Sequence, residues 1–235
     1  MAGHLHTSMA NKKLIFIGSR WIMPRLIASA HDYDIQGILD ADHVGQTMFG
    51  LPVIGAESDC EQYADCVFHV ATYWDGASQD VRQKRYRQIA LIESSELEVV
   101  TLIHPTATTT AGSTIGKGTY IDEICHVSND CDIGAYCSMT TGTVIGHDTT
   151  LGFNCQISAQ ATLSMQTVGH NTSIGAYAKI MHWKNKDTRN RKIHIGSNCK
   201  IFSGVAMSKD IPDGHMQLTN NRVWRSKEAP QDELC

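Results

Sequence analysis

The sequence predicts a chain in two parts: a small α/β unit, then a solenoid of short β-strands wound into triangular coils. Three observations predict it. An aliphatic residue recurs every six positions from Ile103 to Met207. A small or β-branched residue follows four positions behind it. Before Ile103 the pattern differs, with short apolar runs alternating with helical stretches.

Composition agrees with a folded chain. The 235 residues are 42% hydrophobic and 19% charged, enough apolar content for a sizeable core. The net charge of −4 argues against a nucleic-acid binder. The apolar runs fall far short of the ~20 residues that span a bilayer, so no membrane partner is expected. Met1–Asn11 has neither the charged start nor the apolar core of a signal peptide; it reads as a flexible leader containing His4 and His6, and a cytoplasmic protein is expected.

The first unit is expected over 12–102. Lys12–Gly18 reads as a buried strand ending in a glycine turn, and Trp21–Ala30 as a helix with Pro24 near its first turn. Asp34–Asp40 is a second strand, Gly50–Gly55 a short third element and Glu57–Tyr63 a short helix. Cys66–Val70 is a further strand, Ser78–Ser95 a charged amphipathic helix, and Glu98–Ile103 a last strand. The alternation suggests a small parallel sheet. The turn Gly18-Ser19-Arg20-Trp21 has one glycine where a dinucleotide fingerprint needs three, so NAD binding is not expected. A nucleotide could still lie at the strand ends, with Arg20 meeting its pyrophosphate.

The solenoid is expected over 103–214. Its aliphatic column runs Ile103, Ile115, Ile121, Val127, Ile133, Met139, Ile145, Leu151, Ile157, Leu163, with Thr109 as the one interruption. One residue is then missing, and the column continues through Val168, Ile174 and Ile180. After an insertion at 182–192 it resumes at Ile195, Ile201 and Met207. Three strands close a coil of eighteen residues, so Ile115, Ile133 and Leu151 should stack ~4.8 Å apart. The second position is often Gly, expected to tolerate the corner's dihedrals. The fifth position holds Thr119, Thr143, Thr149, Ala161, Thr167, Thr172 and Ala178.

Five of the eight cysteines (Cys125, Cys131, Cys137, Cys155 and Cys199) share that fifth column and read as small, soft core residues. No Cys-x-x-Cys pair is present, so no metal site is expected. Cys60, Cys66 and Cys235 have no assigned role. The insertion, His182 to Lys192, carries five basic residues against one acid. It could meet the phosphates of a coenzyme or a nucleotide sugar, or be a solvated loop. Residues 215–235 are expected to form a cap and tail.

Four stretches carry a resemblance. They are Gly37-Ile38-Leu39-Asp40-Ala41-Asp42 with Gly50-Leu51-Pro52-Val53-Ile54-Gly55, Leu102-Ile103-His104-Pro105-Thr106-Ala107, Thr140 through Asp148, and Ser208 through Gly214. Together they make the chain, over roughly 12–214, resemble the hexapeptide-repeat nucleotide-sugar acyltransferases. That group includes the bacillosamine and perosamine N-acetyltransferases and the sialic-acid O-acetyltransferases. The resemblance implies a left-handed parallel β-helix preceded by a Rossmann-like α/β domain, assembled as a homotrimer. It implies an acetyl-CoA donor and a nucleotide-linked amino sugar as acceptor, without a metal.

In the residues matching that family, His147 is the general base, a task suited to a side chain that titrates near neutrality. Asp148 is its expected partner, although neighbours on a regular strand point to opposite faces. Asn129, one coil below, is the alternative, and Asp130 stacks under Asp148. The resemblance implies acyl-CoA contacts from Ser164, Met165, Gly175 and Lys209, with a Met165 N–H facing the thioester oxygen. It implies substrate contacts from Gly18, Ser19, Arg20, Asp40, Asn129 and Thr140. Three departures stand out. Thr140 replaces an asparagine, Leu163-Ser164-Met165-Gln166 is one residue short of the family's Ser-Gly-Asn turn, and the C-terminal ending differs. His170 shares the hexad position of His147 and reads as an ordinary corner residue. Alternatives are an O-acetyltransferase, a non-catalytic assembly module, or a zinc hydratase built from His126, His147 and His170.

Overall fold

The computed structural model describes residues 12–74, 78–181, 192–219 and 222–225. They divide into two compact units. The first comprises residues up to Tyr73 together with Asp80–Leu102, and the second continues from Ile103.

The first unit is an α/β sheet. Its strands β1 (Lys13–Ile17), β2 (Asp34–Leu39), β3 (Thr47–Met48), β4 (Leu51–Gly55) and β5 (Val67–Val70) lie in the order β3-β4-β2-β1-β5. All pairs are parallel except the β3–β4 hairpin at the edge. Leu14, Ile15, Phe16 and Ile17 are fully buried, as a central parallel strand requires. Helix α1 (Met23–Ser29) has Pro24 in its first turn, where the missing N–H costs nothing. Helix α2 (Gln79–Ser94) buries Ile89 and Ile92, but also Arg82, Arg85 and Gln88. Arg85 donates to the carbonyls of Val70 and Thr72 at the end of β5. The expected strand over Glu98–Ile103 does not form as one element. Val99 makes only an isolated bridge to Phe68, while Leu102–Ile103 pairs within the β-helix.

The second unit is a three-sided parallel β-helix. One face stacks Thr108–Thr109, His126–Val127, Val144–Ile145, Thr162–Ser164, Lys179–Met181 and Ala206–Met207. The second runs from Thr114–Ile115 to Ile193–Ile195, and the third from Leu102–Ile103 through Lys200–Ile201. Register follows the eighteen-residue coil: Ile115 pairs with Ile133, and Ile133 with Leu151. The inward column forms one continuous buried core with the fifth-column residues. Each such aliphatic is worth roughly 1.5–3 kcal/mol on burial. A hairpin, His215–Thr219 with Arg222–Arg225, extends the third face, so the terminal cap is β-structure.

Two sequence expectations are corrected here. The second-position glycines do not supply the corner's left-handed residue; the fourth position does, and it is usually not glycine. Asp130, Asp148, Asn154 and Asn171 have φ between +54° and +57°. The second-position glycines serve close stacking instead: a Cβ on Gly134 would lie 2.7 Å from the Gly152 carbonyl carbon. The fifth-column cysteines are also more than fillers. Cys131, Cys137 and Cys155 donate S–H to the carbonyls of Gly146, Gly152 and Gly169 at 3.0–3.2 Å. Thr119 makes the same bond, to Gly134 O at 3.0 Å. Thr and Cys share the column because both put a compact donor under a corner carbonyl.

Candidate active site

The three faces meet at three edges, and these sort the candidate residues. His147 and Asp148 follow Ile145 at the edge between the first and second faces. Asn129, Ser164, Met165 and Lys209 lie on the same edge, in the coils below and above. Thr140 and Gly175 lie on another edge, after Met139 and Ile174 of the third face. Within one chain the β-helix therefore does not bring Thr140 or Gly175 to His147. Thr140 is buried, and its hydroxyl turns to the Ile157 carbonyl at 3.4 Å. The Gly175 N–H is spent on Ile201 O, and a Cβ there would meet Ser203 N at 2.4 Å.

The corner bends Asp148 round to its neighbour. With φ at +56°, Asp148 leaves the strand path, and its Oδ2 lies 2.7 Å from His147 Nδ1. A carboxylate only accepts, so Nδ1 faces it as the donor, and in the neutral imidazole of that tautomer Nε2 holds the lone pair. Both side chains are about half exposed, at 51% and 50%. Asn129 does not orient His147. It hydrogen-bonds Asp130 through Nδ2 at 2.6 Å, repeating the His147–Asp148 pairing one coil below. The stacked carboxylates of Asp130 and Asp148 are thus each partnered.

The same edge carries both irregularities of the repeat. Ile145 pairs with Leu163 and Thr150 with Thr167, so four residues turn the lower corner and three the upper. Thr167 is therefore a sixth-position residue, and Gln166 takes the fifth. Its Nε2 reaches Ile180 O at 2.8 Å, as a fifth-column donor should. Met165, with φ at +61°, holds the fourth position. Its N–H donates to His147 O at 3.1 Å, so the expected free N–H at Met165 is already engaged. In the next coil the insertion replaces this corner; residues 182–191 lie outside the described residues. Lys209 stands three stacking steps above His147, ~14 Å away at the usual spacing.

His170 turns a different corner. Its Nδ1 accepts the Phe153 N–H at 2.9 Å. His126 Nδ1 meets the Thr108 hydroxyl at 2.8 Å. Among the described residues no group of three or more His, Cys, Asp or Glu side chains could hold a metal ion.

In the first unit, Ser19 and Asp40 end β1 and β2. Ser19 Oγ donates to Asp40 Oδ2 at 2.6 Å, and Lys84 Nζ to Asp40 Oδ1 at 2.8 Å. Burial opposes ionisation of Asp40, but the Lys84 and Ser19 hydrogen bonds outweigh it and hold its carboxyl below the ordinary range. Lys84 also binds Asp42 at 2.7 Å and lies 3.5 Å from Glu57. These residues line a cavity of about 290 Å³ with Arg87 and Gln88. Gly18, at φ +72°, leaves no room for a side chain: a Cβ would meet Thr72 Oγ1 and Gln88 Nε2. Thr72 Oγ1 and Gln88 Oε1 are buried without a hydrogen-bond partner among the described residues. The sequence reading missed Lys84, Thr72 and Gln88, because their partners lie far off in the chain and no local spacing marks them.

No protein-family model matches the chain. Over 123 residues, 52% of the chain, it is 30% identical to an acyl-[acyl-carrier-protein]–UDP-N-acetylglucosamine O-acyltransferase of Brucella ovis. That match spans only 39% of the relative. The acetyltransferase domain of PglB from Neisseria gonorrhoeae superposes with a TM-score of 0.74 at 26% identity. The superposition covers 92% of this chain and all of that one. That domain has also been solved with acetyl coenzyme A. PerB of Caulobacter crescentus, solved with CoA and GDP-perosamine, shares the fold with a TM-score of 0.75 at 21% identity over 87% of this chain and 92% of its own.

Fold and likeness place the chain beside known acetyltransferases: an α/β unit is followed by a three-sided β-helix with a six-residue repeat. The resemblance read from the sequence agrees with these likenesses, to the PglB acetyltransferase domain over 92% of this chain and to a perosamine N-acetyltransferase over 87%.

Proposed function

We propose that this protein is an acetyl-CoA-dependent acetyltransferase acting on the amino group of a nucleotide-linked sugar, with His147 as general base. The observation that carries the reading is the His147–Asp148 pair at 2.7 Å, on the edge where the repeat is interrupted. His147 Nε2 takes a proton from the acceptor amine as its nitrogen bonds to the thioester carbonyl carbon. The C–S bond then breaks, and the thiolate leaves and takes up that proton. Asp148 fixes the tautomer and balances the imidazolium while it lasts.

The donor fits the edge. A coenzyme tail can run from the reacting centre past half-exposed Met181 to the Lys209 cation, which suits its phosphates. The first unit fits a nucleotide. The strand ends carry Gly18, Ser19, Arg20 and Asp40, and two buried polar groups there await a partner. Thr140 and Gly175 join the site only if another copy supplies their edge, which is the arrangement of a homotrimer. No helix among the described residues is long and apolar enough to cross a membrane. A cytoplasmic location is part of the proposal.

A second reading, transfer to a sugar hydroxyl, is favoured by the O-acyltransferase relatives that match 52% of the chain. One assay tests both. Thiol release from acetyl-CoA is followed with UDP-, dTDP- and GDP-linked 4-amino sugars and their hydroxyl counterparts, for wild type and His147→Ala. Turnover on an amino sugar that falls by ~10²-fold or more in the variant supports the proposal. Turnover only on hydroxyl sugars selects the second reading, and turnover that survives the variant removes His147 from the role.

A further inference from the structure

Acyl transfer places negative charge on the thioester oxygen, and a hydrogen-bond donor must sit ~2.7–3.1 Å from it. The donor has to lie on the edge beside His147 Nε2, because the attacked carbon must be within bonding reach of the amine that His147 deprotonates. The shortened corner above His147 limits the choice. Met165 and Gln166 hold the fourth and fifth positions, as their φ and hydrogen bonds establish, so the missing residue is the third. That is the residue that would stack directly over His147. Its N–H is absent altogether.

Two neighbouring backbone donors are occupied. The Gly146 N–H goes to Leu163 O at 2.6 Å, and the Met165 N–H to His147 O at 3.1 Å. A side-chain donor lies beside them. The Ser164 side chain lies against Gly146, the residue preceding His147: a Cβ on Gly146 would be 2.6 Å from both Ser164 Cβ and Oγ. Ser164 is half-buried, and its hydroxyl has no hydrogen-bond partner among the described residues. The shortened corner has no third-position residue over His147, so Ser164 is followed directly by Met165.

We infer that the Ser164 hydroxyl is the oxyanion donor of this enzyme, replacing a backbone N–H that the deletion has removed. The inference rests on the acetyltransferase reading above. Ser164 donates its O–H to the carbonyl oxygen as the tetrahedral intermediate forms and keeps its proton throughout, so no covalent acyl-serine is made. Glycine at 146 is part of the arrangement, since any side chain there would displace Ser164.

Steady-state kinetics of wild type, His147→Ala, Ser164→Ala and Ser164→Thr on one responsive sugar test this. Ser164→Ala should lower kcat by ~10²-fold. Its KM for acetyl-CoA should stay within about twofold, and its thermal midpoint should be unchanged. Ser164→Thr, which keeps the hydroxyl, should recover most of kcat. If Ser164→Ala turns over at the wild-type rate while His147→Ala is dead, the hydroxyl is not the donor and the acetyltransferase reading survives. A raised KM with normal kcat would make Ser164 a simple coenzyme contact and also overturn the inference. If wild type shows no turnover on any sugar, the function itself fails, and the role of Ser164 fails with it.

Discussion

Two edges of the same β-helix place a histidine at the same point of the hexad, and they treat it differently. At one edge His170 sits on a regular column of glycines, and its Nδ1 is held by the Phe153 N–H. That imidazole is an acceptor for the backbone, a piece of corner construction. At the other edge His147 has a carboxylate on Nδ1, a shortened corner above it and an insertion above that. A repeat fixes where side chains point. It does not give them chemistry, and the interruptions are where chemistry becomes possible.

The largest test of this contrast replaces each histidine in turn. His147→Ala should cost 10²–10⁴-fold in kcat, whereas His170→Ala should leave kcat unchanged and cost about 1 kcal/mol of stability from the orphaned N–H. Equal kinetic losses would erase the distinction between the edges. A third histidine sharpens it. His69 is fully buried in the first unit, with Nδ1 3.0 Å from Val100 O, and burial pushes its pKa down to about 4 from an unfolded value of 6.5. The neutral form is the native one. Its contribution is complete above pH 6.5 and is lost as pH falls towards 4, about 3 kcal/mol in all. Urea unfolding of wild type against His69→Asn across that window should show a shallower acid dependence in the variant.

Smaller effects distinguish the edges structurally. Gly134→Ala puts a methyl against the Gly152 backbone and should cost about 2–3 kcal/mol in chemical denaturation. Asp148→Asn should lower kcat about tenfold without affecting folding, because the pair is half exposed and its loss is one of orientation. The smallest effect is a gain at the third edge. Ile124 is β-branched, 64% exposed and at φ +50°. Ile124→Asn should stabilise by about 0.5–1 kcal/mol, read as a rise in thermal midpoint.

The period of six made the inward column legible, because every sixth side chain must enter a narrow prism. What it could not reveal needed the period of eighteen. Counting by six puts Thr140, His147 and Gly175 in one list; counting by eighteen assigns them to different edges. The missing residue was visible as a count, but its place was not. Only the bonds of Met165 and Gln166 show that the third position was lost and that Thr167 belongs to the sixth. Thiol donors in the fifth column were hidden behind the apolar reputation of cysteine. In the first unit the strands were readable from apolar runs, but the Ser19–Asp40–Lys84 cluster joins residues 21 and 44 positions apart. Such pairs are set by the sheet order, which no local pattern states.

The buried fifth-column thiols have a practical consequence. Cys125, Cys131, Cys137, Cys155 and Cys199 are all free and buried, and burial raises the Cys125 thiol to about 11. A native chain should therefore resist alkylating reagents at these sites, since the thiolate is the reactive form. These five coil corners are spread along the solenoid, and neighbouring coils depend mainly on one another. Pulsed alkylation read by mass spectrometry would then time-stamp the opening of each coil, and the order of labelling would tell which end of the helix frays first.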